Sequence, residues 1–338
     1  METVPCDLCG SSRHEALFKQ GDLLHKTTDE RFQLVRCSEC GLRYENPRPS
    51  AAEMGRYYAG SYAFHQKQGA WKNAARLWAR RLVAAAYLGA VPAPLGVLAR
   101  LLLLPLRLTP WGGRLVTLLI PPVPSFLEGL PPGRLLDVGC GSGEHVHVYG
   151  PGVSAAALAA RGWTVFGVEP SEAARKVLAS CGAAGVYADL ASAGLPEASF
   201  DVVRLNWSLE HAPSPMQTLR ECRRLLKPGG RLIVAVPNYD GFTYRLFPAC
   251  VELPVHTYYF CPATLRRYAS ALDLEVAGSV TFSYAALFVT ALELMGKGEE
   301  AAVYRRSLDA AARLQETLTL AGRLGFGDDM VFCLTRLK

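Results

Sequence analysis

"LLDVGCGSGEHVHVYGPG", residues 135–152, is the stretch on which the fold turns. An apolar run reaches Asp137, glycines stand at 139, 141 and 143, and two histidines alternate with valines before Gly150-Pro151-Gly152. The run predicts a buried strand. Glycines directly after it permit positive φ and let backbone approach a ligand with no Cβ in the way. In a doubly wound sheet this first strand-to-loop crossing lies at the carboxyl edge, where ligands bind. The tail breaks the pattern: Gly150, Pro151 and Gly152 interrupt any helix, so an enlarged loop is expected over 144–153 and a first helix from near Ser154. His145 and His147 are read as part of that loop, because two imidazoles alone make a poor metal site.

Outward from this loop, short apolar runs alternate with helical patterns from Arg134 to about Ser283. "RLLDVG", "WTVFGVE", "AGVYADL", "FDVVRLNWS" and "GGRLIVAVPN" give five strands in order, the signature of a parallel α/β sheet. A helical stretch at about 291–322 precedes a last strand, "DDMVFCLTRLK". Glu169 ends the second strand, where a carboxylate can accept hydrogen bonds from both hydroxyls of a ribose. Asp189 follows the third, where an adenine amino group needs an acceptor. The dinucleotide fingerprint G-x-G-x-x-G is not met, since position 144 is Glu, which would repel a pyrophosphate. A ligand with an adenosine, a cationic centre and no phosphates suits the loop better.

"LLDVGCGSG", "GVEPS", "ADL", "FDVVRLNWSLEHAPSP", "LLKPGGRLIVAVPN" and "VHTYYFCPATLRRYA" together resemble the class I S-adenosylmethionine-dependent methyltransferases, over 134 to about 283 and the last strand. The resemblance implies a Rossmann-like, doubly wound, mostly parallel seven-stranded sheet and S-adenosylmethionine as cofactor. It places Asp137, Gly139, Gly141 and Gly143 along the methionine part, Glu169 on the ribose, Asp189 with Leu190 at the adenine, and Asn206 near the methionine. An acceptor that is a hydroxyl or carbon acid must lose a proton, and histidine titrates near neutrality. The candidate catalytic bases are His211, after the fourth strand, and His256, on a segment that covers the acceptor pocket in relatives. Each also has a plain structural alternative, as a loop-fixing hydrogen bonder or a neighbour in an aromatic cluster. Tyr258 and Tyr259 are expected to line a pocket.

Cys6-x-x-Cys9-Gly and Cys37-x-x-Cys40-Gly form two matching knuckles, and four thiolates complete a tetrahedral zinc shell. Residues 1–50 are therefore read as a zinc-ribbon-like module holding a structural Zn2+. The other cysteines read as small buried hydrophobes. Ten cysteines with no export signal suggest a reducing, cytoplasmic setting.

The net charge of +6 is unevenly placed. No acidic residue lies between Glu53 and Glu128, while Arg56, Lys67, Lys72, Arg76, Arg80, Arg81, Arg100, Arg107 and Arg114 do. This basic, apolar helical segment, 51–130, precedes the catalytic domain, 131–338. Its uncharged run from Leu82 to Ala99 is broken by Pro92, Pro94 and Gly96, which argues against a membrane span. Arginines beside leucines, with Trp71, Trp78 and Trp111, suit contact through 71–120 with an anionic membrane surface on its inner face. A surface for a homodimer, or packing on the sheet, is the alternative. Nucleic acid is disfavoured, because the segment lacks interleaved stacking aromatics. The expected function is methyl transfer to a small-molecule, glycan or lipid-linked acceptor. The alternatives are an NAD(P)-dependent oxidoreductase and a non-catalytic zinc-bearing adaptor.

Overall fold

The computed structural model describes residues 1–58, 94–109, 123–143 and 153–337. The five expected strands form as β4 (Arg134–Val138), β5 (Thr164–Val168), β6 (Gly185–Tyr187), β7 (Phe200–Asn206) and β8 (Leu226–Pro237). All pair in parallel; β10 (Leu274–Phe282) and β11 (Asp329–Arg336) complete the sheet, with β11 antiparallel to both its neighbours. The order is β10-β11-β8-β7-β4-β5-β6, a seven-stranded, mostly parallel sheet as the sequence implies. Successive β-residues point to opposite faces. Leu136, Val138, Val203 and Leu205 thus enter one core cluster, while Leu135, Val202, Ile233 and Val331 enter another. Burial on both faces explains the continuous apolar runs.

Strand order reverses at β4, which has β5 on one side and β7 on the other. That reversal opens the crevice in which open α/β sheets bind ligands. The first helix after it is Ala155–Ala160, with the Ser154 hydroxyl accepting from the Ala157 amide at 3.2 Å. The helix start falls where the sequence put it. Most of the enlarged loop, 144–152, including His145 and His147, lies outside the described residues. Helices Ala285–Leu294, Gly298–Arg306 and Leu308–Arg323 form the insertion before β11, beginning a few residues earlier than the pattern suggested.

The cysteine-bearing residues build β1 (His14–Gly21), β2 (Arg31–Cys37) and β3 (Arg43–Glu45). Their sheet acquires a fourth strand, β9 (Tyr258–Tyr259), through the register Arg43↔Tyr259 and Tyr44↔Tyr258. Cys6, Val35, Cys37, Leu42 and Tyr44 belong to the same core cluster as Leu136 and Val203. The N-terminal region is thereby tied to the rest of the chain by a strand drawn from beyond β8 and by a core shared with the large sheet. Of the basic segment, helices Leu95–Leu102 and Leu104–Arg107 are described, whereas Trp71, Trp78, Trp111 and most of its arginines lie outside the described residues. No described helix is long and apolar enough to cross a membrane.

Candidate functional site

The loop after β4 takes the backbone that its glycines permit: φ is +72° at Gly139, +51° at Gly141 and +77° at Gly143. A Cβ on Gly139 would lie 2.3 Å from the Ser208 Cβ, so this residue must be glycine for β7 and the loop to close together. The Gly139 amide donates to the Val168 carbonyl at 2.8 Å, tying the loop to β5. At the end of β5, the buried Glu169 accepts from the Gly141 amide through Oε2 and from the Ser171 amide through Oε1, both at 2.9 Å. The expected ribose carboxylate therefore stands against the glycine loop.

Asp137 is anchored from the neighbouring strand. Its Oδ2 accepts from Arg204 Nη2 at 2.7 Å, both side chains being almost wholly buried. Arg204 Nη1 donates to the Val153 carbonyl at 3.1 Å, where the chain re-enters from the loop. Asp189 is exposed and closes its own turn, accepting from the amide and hydroxyl of Ser192, whose hydrogen bonds lower its carboxyl pKa. Leu190 packs on the first core cluster. Asn206 is buried at the end of β7, and Trp207 follows it with φ +49°. The Trp207 indole donates to Asp329 Oδ1 at 2.8 Å; burial pushes that carboxyl up to about 7.

Both candidate bases fall in one place. A 3-10 turn, Leu209–His211, follows Ser208, whose hydroxyl donates to the Val138 carbonyl at 2.7 Å. The rings of His211 and His256 meet edge to face with centroids 4.6 Å apart. His211 Nδ1 lies 2.8 Å from the Val255 carbonyl and 3.2 Å from the Tyr58 hydroxyl. Burial, then the neighbouring His256, lowers the His211 pKa to about 3, and burial lowers that of His256. Glu210 is 1 % exposed, and neither of its carboxylate oxygens meets a hydrogen-bond partner among the described residues. Burial raises its pKa well above the usual carboxylate range. One ligand atom each of Glu210, His211 and His256 lies within 4.8 Å of the others. Glu252 stands alongside, its Oε2 3.3 Å from His25 Nε2 and 3.6 Å from His256 Nε2. Buried Tyr239 stacks on Tyr244 and meets Tyr259 edge to face, with centroids 4.6 Å and 4.5 Å apart.

Tyr58, Arg204, Glu210 and Glu252 were not singled out in the sequence. Arg204 carried a signal, since a charge within an apolar run that becomes buried needs a partner, whereas Glu210 had only its place beside His211. Tyr58 and Glu252 arrive through long-range contacts with no local mark.

The four expected cysteines converge: Cys6 Sγ lies 3.4 Å from Cys40 Sγ and Cys9 Sγ 3.5 Å from Cys37 Sγ. All four sulfurs lie within 4.8 Å of one another, and the Gly10 and Gly41 amides turn back onto the Cys6 and Cys37 carbonyls. This donor set fits a tetrahedral zinc ion. A cavity of about 610 Å³, lined by Arg134, Trp163, Asp201 and Arg231 among others, opens at the opposite edge of the sheet and touches none of these groups.

The family described as "Methyltransferase domain" matches residues 136–234. A ubiquinone biosynthesis O-methyltransferase of Pseudomonas aeruginosa is 30% identical over 172 residues, covering 46% of this chain and 70% of that protein. The protein of the same name from Thiobacillus denitrificans is 34% identical over 168 residues, covering 45% and 68%. Among solved structures, a possible histamine N-methyltransferase from Thermotoga maritima aligns with a TM-score of 0.42 at 17% identity, over 75% of this chain and 98% of that one.

Proposed function

Because this chain belongs to the class I S-adenosylmethionine-dependent methyltransferases, we propose that it methylates a hydroxyl of a small-molecule acceptor, glycans and lipid-linked precursors included. When bound, S-adenosylmethionine supplies a methyl group activated on a sulfonium. The chain's own residues then have three duties. The positive-φ loop Gly139–Gly143 and the Glu169 carboxylate fit an adenosine carrying a cationic centre: backbone without side chains on one side, a hydroxyl acceptor on the other. Asn206, Asp189 and Leu190 flank that space at the ends of β7 and β6. His211 and His256 handle the acceptor's proton.

The observation that carries this reading is the setting of the two imidazoles. The turn holding His211 follows Ser208, and Ser208 packs directly on Gly139. A His211 Nδ1–H donated to the Val255 carbonyl leaves Nε2 as a lone pair. Burial disfavours the charged form of both rings, which favours the neutral imidazole that can accept a proton. The relatives named above act in ubiquinone biosynthesis as O-methyltransferases, which supports oxygen as the receiving atom. In this reading Cys6, Cys9, Cys37 and Cys40 hold a structural zinc with no open position.

Transfer of labelled methyl from the cofactor to a panel of hydroxylated small molecules, glycans and lipid-linked precursors tests the proposal. The product should carry an O-methyl group. His256→Ala should lower kcat on the order of 10²-fold or more while leaving S-adenosylhomocysteine affinity intact. Labelling of nitrogen or carbon alone, or undiminished turnover in that variant, contradicts it.

One observation favours the lipid-linked branch. On the described part of the basic segment, Leu98, Leu101, Leu102 and Leu108 are 53–80% exposed, with Arg100 among them. Flotation with vesicles tests it: binding should need anionic lipid, weaken as salt rises and fall when Arg76, Arg80 and Arg81 become Glu. Indifference to anionic vesicles at low salt removes the membrane from the reading.

A further inference from the structure

We propose that Glu210, His211 and His256 form a second metal site, distinct from the cysteine cluster, which takes a first-row divalent cation at the acceptor side. The inference rests on the methyl-transfer reading of the same pocket and changes what the imidazoles do there.

The first reason is electrostatic. Glu210 is 1 % exposed and both oxygens lack a hydrogen-bond partner among the described residues. A buried carboxylate left this way costs several kcal/mol unless a cation neutralises it or it takes up a proton. No arginine or lysine pairs with it among the described residues. Two imidazoles supply the other donors, so ligand atoms of a carboxylate and two imidazoles come within 4.8 Å of one another from two chain segments. That set suits Mn2+, Fe2+ or Zn2+ and leaves coordination positions open for an acceptor.

The second reason is the outer ring of contacts. An imidazole on a metal generally gives its other N–H to a carbonyl or carboxylate, which fixes the tautomer. His211 has such a partner in the Val255 carbonyl, 2.8 Å from Nδ1. Beside His256 stands Glu252, whose Oε2 lies 3.6 Å from Nε2, beyond hydrogen-bond length but within ion-pair reach, and 3.3 Å from His25 Nε2. His211 therefore has Nδ1 engaged outward, which leaves Nε2 for a ligand. Donors around an ion with bonds of about 2.0–2.1 Å sit roughly 3–3.5 Å apart, so the three side chains need to close by up to about 1.3–1.8 Å from their 4.8 Å envelope.

The chemistry follows. A divalent cation lowers the pKa of a hydroxyl bound to it. The acceptor's O–H bond breaks, its oxygen keeps the electron pair, and the proton leaves to solvent, so no imidazole has to become cationic in a buried pocket. The cation also screens the buried Glu210 from the neighbouring carboxylates Glu252 and Asp329.

Equilibrium dialysis of the full-length protein against Mn2+, with the cysteine-bound zinc left in place, tests the site. One Mn2+ per chain should bind, with Glu210→Gln weakening it at least about tenfold and Glu252→Gln by about 10–100-fold. Cys37→Ser should lower the zinc content while leaving Mn2+ bound. Far-UV circular dichroism and S-adenosylhomocysteine binding are read on every variant. A chain that binds the cofactor but no Mn2+, or binds Mn2+ equally well as Glu210→Gln, overturns the metal site and leaves the methyltransferase reading standing. If Glu210→Gln does not fold, wild-type stoichiometry and Glu252→Gln decide. A chain that binds Mn2+ but no S-adenosylhomocysteine instead sinks the cofactor assignment.

Discussion

Arg204 and Asp137 form an ion pair of 2.7 Å inside the sheet, on adjacent strands at the same level of the register. Both side chains are at most 3 % exposed. The pair ties β4, β7 and the Val153 carbonyl together beneath the glycine loop. Removing one partner leaves a buried charge uncompensated, so Arg204→Met should destabilise the fold by about 3–5 kcal/mol. Asp137→Asn together with Arg204→Met should recover much of that loss. Urea denaturation of the two variants checks it, and equal stability of single and double variants would show that the charges are not coupled.

Glu169→Ala should weaken S-adenosylhomocysteine binding by about 1.5–3 kcal/mol, the range for a hydrogen bond to a charged group. Glu169→Gln keeps one acceptor oxygen and should lose less. Calorimetry on folded variants measures both. Affinity unchanged in the alanine variant would remove Glu169 from the ribose.

Cys37→Ser should cost one equivalent of zinc by elemental analysis. Burial pushes the Cys37 thiol up, but the amides of Cys40 and Glu39 and the neighbouring thiols bring its pKa down to about 7, so it readily offers a thiolate. The variant should also melt several degrees lower, since folding and metal binding are coupled in such modules. A metal-free wild type with the same melting temperature would refute the zinc assignment.

Glu45 lies wholly buried in β3, and burial raises its pKa from 4.5 to about 9 despite Arg48. The folded chain therefore holds a proton that the unfolded chain releases above pH 4.5. Its stabilising contribution is present below that pH and is lost as pH rises toward 9. A tenfold difference in proton affinity between the folded and unfolded chains corresponds to about 1.4 kcal/mol, enough to register in a melting curve. Melting temperature should thus decline from pH 5 to 9 in the wild type and decline less in Glu45→Gln. Identical slopes would show that Glu45 does not carry the proton.

The central architecture was legible because local rules and tertiary structure agree there. β4 is an unbroken apolar run followed by glycines that need positive φ, and Ser154 and Ser171 cap the helices they precede. Glu169 could be placed because strand order alone brings it beside the loop. Asp137 was legible as a position but not as a partner: its tie to Arg204 depends on which strands are neighbours. Asp189 reads as an acceptor in sequence, yet its turn with Ser192 satisfies the same oxygens locally. Tyr58, Glu252 and His25 reach the histidine pair from distant segments, and no periodicity encodes such meetings.

The strand Tyr258–Tyr259 has a practical consequence for anyone reshaping this enzyme. It is the fourth strand of the cysteine-bearing sheet and lies two residues beyond His256. Thr257 donates its amide to the Glu210 carbonyl and lends its own carbonyl to the Glu45 amide, so one residue spans both halves. A truncation that discards the first fifty residues to obtain a minimal catalyst would strip the partner from this edge and leave His256 on an unsupported loop. Grafting that N-terminal portion from a homologue would, by the same link, shift Thr257 and the paired rings of His256 and His211 beside it.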